Sequence, residues 1–348
     1  MKLSLLHLLI VLYLFPILIR SGLSEDPVES PTIGVHRAIY NKWDDALVIS
    51  GQASTASVIV IPSIGGRIVH YGPEKENIIY EVPGSEGKTL AKNKGGFWAG
   101  GYQLDIGPEI RVPKHVALWM GQYTSQCPKA YTVTVASEDN AATGIRLEKE
   151  IMLDPISKKS NVSILQRMKN ISDKETSFCL WDRTLCNGGG FVFFPLNRKS
   201  RMVAGWGIRE KNDGKESYNS TTPNSPNVKI LEGVLVATTG GKEGKVGADS
   251  DAGWMAYARG TQLYIKTFPY VADGNYTDYG NSVEFYWSDK VGEVEPLSPE
   301  IKLKPGEEFI FQERWMLIKL DAEVDSFEKA RALVDLVQAW VNELQNKK

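Results

Sequence analysis

The stretch of the sequence best suited to chemistry is residues 93–109, where five glycines lie among aromatic and charged side chains. Glycine lets a backbone turn sharply or approach a ligand closely. A sugar offers apolar C–H faces for stacking and hydroxyls that need hydrogen-bond partners. The stretch therefore predicts one wall of a sugar-binding cleft, and the alternative is a long loop whose aromatic residues join the core. Its aromatic and charged residues are Lys94, Phe97, Trp98, Tyr102, Asp105 and Glu109.

A second candidate is Glu284, a charged residue inside the otherwise apolar and aromatic segment 283–287. Strand alternation allows Glu284 to face solvent as an ordinary polar residue. If it points instead into an aromatic cleft, burial would raise its pKa and make it a general base. The sequence leaves both orientations open.

Histidine is scarce, which limits the candidates for a general acid near neutral pH. Only His36, His70 and His115 follow the N-terminal segment. We expect His36 to be exposed and His70 to be structural or on the surface rather than catalytic. His115 follows Val-Pro-Lys and is open to a surface or structural role as well as to the role of a catalytic acid.

Other function classes have little support in the sequence. It contains no Gly-x-Ser-x-Gly elbow, no P-loop and no Gly-x-Gly-x-x-Gly after a predicted strand. The net charge of −2 gives no basic face for nucleic acid. No Cys-x-x-Cys or histidine-rich spacing indicates zinc, and scattered carboxylates leave calcium open. We therefore expect no nucleic-acid partner, no cofactor and no metal site.

The N-terminal segment has the layout of a secretory signal peptide. Met1-Lys2 precedes an apolar run over residues 3–19, and small residues follow Arg20. We expect cleavage after Ser24, a secreted or periplasmic protein and no membrane attachment after cleavage. An uncleaved anchor is the alternative, because the run is close to the ~18 residues that can span a bilayer. Residues 25–34 would then be a flexible lead-in.

The three cysteines permit few disulfides. Cys179 and Cys186 lie seven residues apart, which suits either a bridged hairpin or two reduced core positions. Cys127 is the third cysteine, and the sequence does not settle the state of any of them.

From residue 35 onward the chain reads as one strand after another, broken by Gly, Pro, Asn and Asp. This spacing predicts an all-β fold, a large antiparallel β-sandwich over residues 35–322. Residues 212–227 and 240–251 read as surface loops. The predicted strands cover residues 46–50, 58–62, 67–71, 131–136, 145–153, 162–168, 178–185, 228–238, 254–258, 263–267, 283–287 and 308–320.

Residues 323–348 are predicted to form a C-terminal amphipathic helix, which Asp325 or Ser326 would cap. We expect its apolar face to pack on the outside of the sheet, and a partner protein is the alternative occupant. That face consists of Ala330, Leu333, Val334, Val337, Val341 and Leu344.

Several short motifs follow one another in an order that resembles the galactose mutarotase-like, or aldose 1-epimerase-like, superfamily. The resemblance covers most of residues 35–320 and is closest to an exported bacterial branch. The order and spacing of the motifs carry it. The motifs are Ile-Pro-Ser-Ile-Gly-Gly-Arg-Ile at 61–68, Asn-Lys-Gly-Gly at 93–96, Leu-Gln-Arg-Met-Lys-Asn-Ile-Ser-Asp at 165–173, the segment 181–186, Val-Glu at 283–284, Leu-Ser-Pro at 297–299 and Leu-Lys-Pro-Gly-Glu at 303–307.

The resemblance implies a β-sandwich with a sugar site on a concave face. Epimerases of this superfamily open and re-close an aldose ring, with a glutamate as base and a histidine as acid. By position, Glu284 resembles the base, and Arg67 resembles a substrate-binding arginine. Lys94 stands where the superfamily has a histidine before Gly-Gly, and the segment 181–184 stands where it has a second one. This departure undercuts mutarotase activity and leaves Lys94, Arg183 or His115 to supply the proton.

Three functional hypotheses follow, and all of them have carbohydrate as the partner. The first is an exported carbohydrate-active enzyme, an epimerase with Glu284 as base, a substituted acid such as His115, and a substrate site shaped by Arg67, Lys94, Trp98, Tyr102, Asp105, Trp181 and Arg183. The second is a sugar-binding protein on the same fold without the chemistry. The third is an accessory protein in polysaccharide breakdown. We favour carbohydrate binding over any specific reaction, and the oligomeric state stays open.

Overall fold

The computed structural model of the protein describes residues 32–54, 56–93, 97–212 and 215–346. The predicted signal peptide, most of the lead-in and Lys94 lie outside the described residues. No helix within the described ranges is both long enough and apolar enough to cross a membrane.

The described chain contains mainly β-strands, with three α-helices and one short 3-10 helix at Pro62–Ile64. The first strands are β1 (Val35–Tyr40), β2 (Trp43–Ser50), β3 (Ser57–Ile61), β4 (Arg67–Gly72), β5 (Tyr102–Gly107), β6 (Tyr123–Gln126), β7 (Thr132–Ser137), β8 (Ile145–Leu153), β9 (Val162–Asn170) and β10 (Thr176–Asn187). The later strands are β11 (Phe191–Pro195), β12 (Gly207–Asn212), β13 (Lys215–Asn219), β14 (Val228–Leu231), β15 (Val234–Thr238), β16 (Gly244–Ala248), β17 (Trp254–Thr267), β18 (Val283–Trp287), β19 (Val291–Pro296), β20 (Ile301–Leu303) and β21 (Glu308–Val324). The helices are α1 (Val116–Met120), α2 (Phe327–Ala332) and α3 (Val334–Asn346).

These strands form two antiparallel sheets, which confirms the predicted fold class. The first sheet has 12 strands in the order β1-β2-β3-β4-β5-β10-β19-β18-β16-β12-β13, with β20 paired to β10. The second has 9 strands in the order β14-β15-β11-β17-β21-β9-β8-β7-β6. Strands distant in sequence therefore meet at the centre of the first sheet.

The main core lies between the two sheets and is rich in aromatic residues. Tyr102 of the first sheet meets Trp315 of the second edge to face, with ring centroids 5.0 Å apart. Tyr264 packs on the same indole at 5.3 Å. Such edge-to-face contacts each add about 0.5–1.5 kcal/mol beyond the burial of apolar area.

The core also contains paired charges. Lys266 contacts Asp182 and lies 3.2 Å from Glu313, and all three side chains are fully buried. A buried charge must be paired, because leaving one of them alone in the interior costs about 3–5 kcal/mol. This cluster therefore fixes how β10, β17 and β21 sit across the sandwich.

The C-terminal segment forms two consecutive helices, α2 and α3, rather than one. The Ser326 side chain caps α2 by accepting a hydrogen bond from the Lys329 backbone N–H at 3.2 Å. Ala330, Val337 and Val341 are buried in one apolar cluster with Trp254 of the second sheet. The helices thus pack on the outer face of that sheet, as the amphipathic pattern predicts.

Some predicted element boundaries are wrong. The strand expected at 228–238 is a hairpin, because Glu232 and Gly233 adopt positive φ angles of 50° and 78° between β14 and β15. The two strands expected at 254–258 and 263–267 are one long strand, β17, with an irregular register at Gly260. The predicted loop 240–251 contains β16, and the predicted loop 212–227 contains β13.

Cys179 and Cys186 are reduced core residues, the second of the two alternatives. Both lie on β10 and are fully buried. The two cysteines are seven residues apart on an extended strand, so the distance between their Cα atoms is far more than the ~7 Å that a disulfide allows. Burial raises the pKa of the Cys179 thiol to about 12.

Candidate functional site

A cavity of about 300 Å³ lies over the middle of the first sheet, and we call it the central cavity. Its size falls at the lower end of the ~300–1,000 Å³ typical of ligand pockets. The residues that line it are Trp98, Gln103, Glu109, Trp119, Arg183, Leu185, Arg209, Lys245, Tyr286, Glu293 and Glu295.

Strand alternation places these side chains on the face of the first sheet that points away from the second sheet. On β10, Arg183 and Leu185 line the cavity, whereas Leu180 and Cys186 belong to the core between the sheets. Side chains also alternate between the cavity and the core on β5, β16, β18 and β19. β5, β16, β18 and β19 thus present apolar residues to the core and polar residues to the cavity.

Strand register brings polar residues from different strands into one row. Glu293 on β19 pairs with Leu185 on β10 and with Tyr286 on β18. Tyr286 in turn pairs with Lys245 on β16. Directly opposed residues have Cβ atoms about 4.5–5.5 Å apart, so the row forms a continuous surface across four strands.

Arg183 is the cation on the β5 side of the cavity. Its guanidinium lies 2.7 Å from Glu109, 3.7 Å from Asp105 and 3.9 Å from Glu295. It also stacks on the Trp181 indole, 4.6 Å from the ring centroid. Burial works against the charge, but these carboxylates outweigh it and raise the pKa of Arg183.

Lys245 is the cation on the β16 side. Its Nζ lies 2.9 Å from Glu295 Oε2 and 2.5 Å from Glu284 Oε2. The ammonium also lies over the Trp181 ring at 4.6 Å, and the Trp181 indole N–H donates to Glu295 Oε2 at 2.8 Å. Trp181 is therefore a buried platform beneath the cavity, and Glu295 links the two cations.

Two residues that line the central cavity each have a buried acceptor oxygen with no hydrogen-bond partner among the described residues. These oxygens are Gln103 Oε1 and Glu295 Oε1. An unsatisfied buried acceptor costs about 1–3 kcal/mol, and more when the group is charged. A ligand with hydroxyl donors would remove this cost.

Glu293 is an acid in the cavity with a pKa near neutrality. Burial and the nearby negative charge of Glu295 raise the pKa of Glu293 to about 7. Its side chain is half-buried and lines the cavity. A carboxyl group with such a pKa can donate or accept a proton at physiological pH.

His115 lies next to the cavity and is held in place by two acceptors. Its Nε2 lies 2.7 Å from Asp105 Oδ1, and its Nδ1 lies 2.6 Å from the Pro113 carbonyl oxygen. The Pro113 carbonyl and an ionised Asp105 are both acceptors, so the charged ring, with two N–H donors, satisfies both contacts. Burial works against this charge, but Asp105 outweighs it and raises the pKa of His115.

Glu284 lies beneath the cavity and does not line it. The carboxylate is fully buried and accepts hydrogen bonds from Tyr218 Oη at 3.0 Å and from Asn281 Nδ2 at 2.6 Å. Burial alone would raise its pKa, but the charge of Lys245 and hydrogen bonds with Asp278, Lys245 and Asn281 outweigh burial, and the net pKa is lowered. Glu284 thus takes neither of the two orientations considered, since it faces neither solvent nor the cavity.

The remaining predicted binding residues divide between the cavity and the interior. Trp98 lines the cavity and is 44 % exposed. Tyr102 is fully buried between the sheets, so its predicted place in the sugar site is wrong. Arg67 is also buried; it donates to the Gly100 carbonyl at 2.6 Å and lies 5.5 Å from the Trp119 ring, a wall of the cavity. Lys94 lies outside the described residues.

Several lining residues were missed by sequence reasoning. Those missed are Gln103, Trp119, Arg209, Lys245, Tyr286, Glu293 and Glu295. Glu293 and Glu295 alternate with valine and proline in β19, which is the pattern of a strand with one polar face. That alternation was the available signal.

Within the described ranges, no group of three or more His, Cys, Asp or Glu residues is arranged to hold a metal ion. The carboxylates at the cavity instead face Arg183 and Lys245. The site therefore has the chemistry of a charged, hydrogen-bonding cleft with aromatic walls.

Sequence comparison assigns the chain to a family. The profile of the family described as domain of unknown function DUF4380 matches residues 115–318, more than half of the sequence. The chain belongs to the DUF4380 family. No curated protein matches it by sequence.

Structural comparison gives the fold. A galactose mutarotase-like protein from Clostridium acetobutylicum superimposes with a TM-score of 0.55 at 9% sequence identity, covering 83% of this chain and 99% of that one. A galactose mutarotase-like protein from Lactobacillus casei ATCC 334 gives a TM-score of 0.51 at 12% identity, covering 78% and 100%. The DUF4380 chain thus has the galactose mutarotase-like fold, as its motifs indicated.

Proposed function

We propose that the protein is an exported carbohydrate-binding protein whose sugar ligand occupies the central cavity. The ligand hydroxyls donate to Gln103 Oε1 and Glu295 Oε1, and an apolar face of the ring stacks on Trp98 or Trp119. The galactose mutarotase-like fold supports a sugar as the ligand class.

The observation that carries this proposal is the pair of unpartnered acceptors, Gln103 Oε1 and Glu295 Oε1, on residues that line a cavity walled by indoles. A ligand for this cavity needs at least two donors close to an apolar surface. Sugars combine these properties in one ring. Purely apolar ligands would leave both acceptors unsatisfied.

Solution NMR of the mature protein with a panel of aldoses and uronic acids tests the proposal. We expect line broadening or saturation transfer for at least one sugar. The Trp98→Ala variant should lower its affinity on the order of tenfold, about 1.4 kcal/mol, because an exposed stacking surface is lost. Ile156→Ala is a control, because Ile156 is exposed and lies away from the central cavity. Wild-type protein that binds no member of the panel would contradict the proposal.

A second candidate function, sugar epimerisation, is favoured by Glu293. In such a reaction a base removes the anomeric hydroxyl proton, the bond from the anomeric carbon to the ring oxygen breaks, and an acid protonates that oxygen. Glu293 has a pKa suited to either transfer. The lining cations Lys245 and Arg183 have raised pKa values and are poor acids, which favours binding over this chemistry.

The same NMR samples separate the two candidates. An epimerase would exchange anomers faster than the uncatalysed rate, and Glu293→Gln would lose this exchange while keeping affinity. A binding protein would bind without exchange. Exchange that persists in Glu293→Gln would remove Glu293 as the acid–base group.

Export and a role in polysaccharide breakdown complete the proposal. The apolar run at residues 3–19 and the small residues after it support export. Amino-terminal sequencing of protein from the natural host should begin near Glu25, and an intact Met1 would contradict cleavage. An accessory role in polysaccharide breakdown is the alternative to binding a free sugar.

A further inference from the structure

Two strands beside the central cavity diverge. β12 and β16 pair only at Gly207 with Gly247 and at Ile208 with Val246. β12 remains paired with β13 as far as Asn212. Residues 209–211 therefore turn away from residues 242–244, and a gap opens in the sheet.

A second cavity of about 720 Å³ lies at this gap, and we call it the divergence cavity. Its walls mix apolar surface with amide, hydroxyl and charged groups, as a sugar subsite requires. Arg209 lines both this cavity and the central cavity. The lining residues are Ile208, Arg209, Glu210, Lys211, Asn224, Ser225, Pro226, Asn227, Gly241, Lys242, Glu243, Gly244 and Trp287.

Arg209, which lines both cavities, has N–H donors that a ligand can use. Its guanidinium lies over the Tyr286 ring at 5.7 Å, which orients the side chain. The shortest of its ion-pair contacts among the described residues is to Glu216, at 4.0 Å, and Glu216 lies closer to Lys211, at 2.9 Å. A guanidinium carries five N–H donors, so Arg209 can bind hydroxyl or carboxylate oxygens of a ligand that passes over it.

We propose that the ligand is an oligosaccharide, with one unit in the central cavity and the following units across Arg209 in the divergence cavity. This inference rests on the proposed function. The central cavity, at about 300 Å³, holds only a small ligand, whereas the divergence cavity, at about 720 Å³, more than doubles the available volume. Among sugars, a linear oligosaccharide is the form that occupies both cavities.

Titration calorimetry with the full mature protein tests the inference. The probes are glucose, galactose and galacturonic acid, each with its linear di-, tri- and tetrasaccharides. We expect affinity to rise at least tenfold from the monosaccharide to the tetrasaccharide of the series that binds. Equal affinity for a monosaccharide and its tetrasaccharide would overturn the inference and leave the proposed function standing. Absence of binding by every probe would overturn both.

Substitutions in the divergence cavity test whether the higher affinity for the tetrasaccharide comes from contacts there. Asn224 and Lys242 line it, are exposed and do not line the central cavity. Asn224→Ala and Lys242→Ala should weaken tetrasaccharide binding at least fivefold and keep monosaccharide binding within twofold. Lys302→Ala is the matched control, because Lys302 is an exposed lysine that lines neither cavity. Tetrasaccharide affinity within twofold of wild type in both variants would contradict the proposed path.

Discussion

Lys245 and Glu284 form an ion pair in which Nζ lies 2.5 Å from Oε2, and both side chains are almost entirely buried. Lys245 lines the central cavity and also contacts Glu295 at 2.9 Å, whereas Glu284 lies beneath the cavity. Buried ion pairs contribute little net stability compared with an apolar replacement, but breaking one of them leaves an uncompensated charge. Glu284 therefore serves to hold Lys245 and, through it, the carboxylate that lines the cavity.

We expect Lys245→Met to lower the free energy of unfolding by about 3–5 kcal/mol, because Glu284 and Glu295 would lose their shared cation. Urea denaturation measured by tryptophan fluorescence gives this value. Lys242→Met is the control; Lys242 is exposed nearby, and its change should stay within ~0.5 kcal/mol. The double variant Lys245→Met, Glu284→Gln should recover part of the loss. A loss below 1 kcal/mol in Lys245→Met would contradict this account.

Glu293 should make the stability of the protein depend on pH near neutrality. Burial and Glu295 raise its pKa from 4.5 to about 7, so the folded protein binds this proton more tightly than the unfolded chain does. The contribution is fully present below pH 4.5 and is lost as the pH rises through 7. We therefore expect the unfolding free energy of wild type to fall relative to that of Glu293→Gln as the pH rises from 4.5 to 8. A difference that is independent of pH would rule out the raised pKa.

The histidine ring resonances should titrate at separate pH values. Asp105 raises the pKa of His115 above 6.5, whereas burial lowers the pKa of His70. Asp105→Asn should lower the pKa of His115 and leave that of His70 unchanged, which makes His70 an internal control. NMR of the imidazole C–H signals measures both. The stabilising charge on His115 is present below pH 6.5 and is lost above its folded pKa. An unchanged His115 titration in Asp105→Asn would contradict the assignment.

Gly247 and Gly207 face each other across β12 and β16 but differ in the space around them. A Cβ atom at Gly247 would lie 2.3 Å from the Asn281 side chain, which donates to Glu284. Gly247→Ala should therefore lower the unfolding free energy by about 1–3 kcal/mol through overpacking. A Cβ atom at Gly207 meets its nearest neighbours at 3.4 Å, an ordinary contact, so Gly207→Ala is the matched control. Equal effects of the two substitutions in thermal denaturation would contradict this packing argument.

The sequence predicted the sandwich and its long strands because their apolar residues alternate, as in β8 and β9. It failed at β16, where Gly244 and Gly247 read as turn residues. Packing requires glycine at both positions instead. A Cβ atom at Gly244 would lie 2.4 Å from the Trp287 ring, and one at Gly247 would lie 2.3 Å from Asn281. Such requirements depend on residues distant in sequence, which local propensity does not contain.

The same reason explains which site residues were found. Trp98, Asp105, Trp181 and Arg183 lie in local patterns that indicate a cleft, and two of them, Trp98 and Arg183, line the cavity. Glu293 and Glu295 belong to β19, a short strand with glycine, glutamate and proline, which are poor strand formers. Pairing with β10 on one side and β18 on the other fixes this strand, so its role follows from tertiary contacts.

The lining of the central cavity comes from chain segments as far apart as Trp98 and Glu295. No short fragment of the chain contains the site, and it forms only when the non-local strand pairs of the first sheet have formed. A ligand that needs the assembled site would bind the native state alone and raise the unfolding free energy, by about 2.7 kcal/mol at 100 times its dissociation constant. Melting temperature is thus a direct reporter of occupancy, and a sugar library can be screened against this protein by heat alone, before any reaction is known.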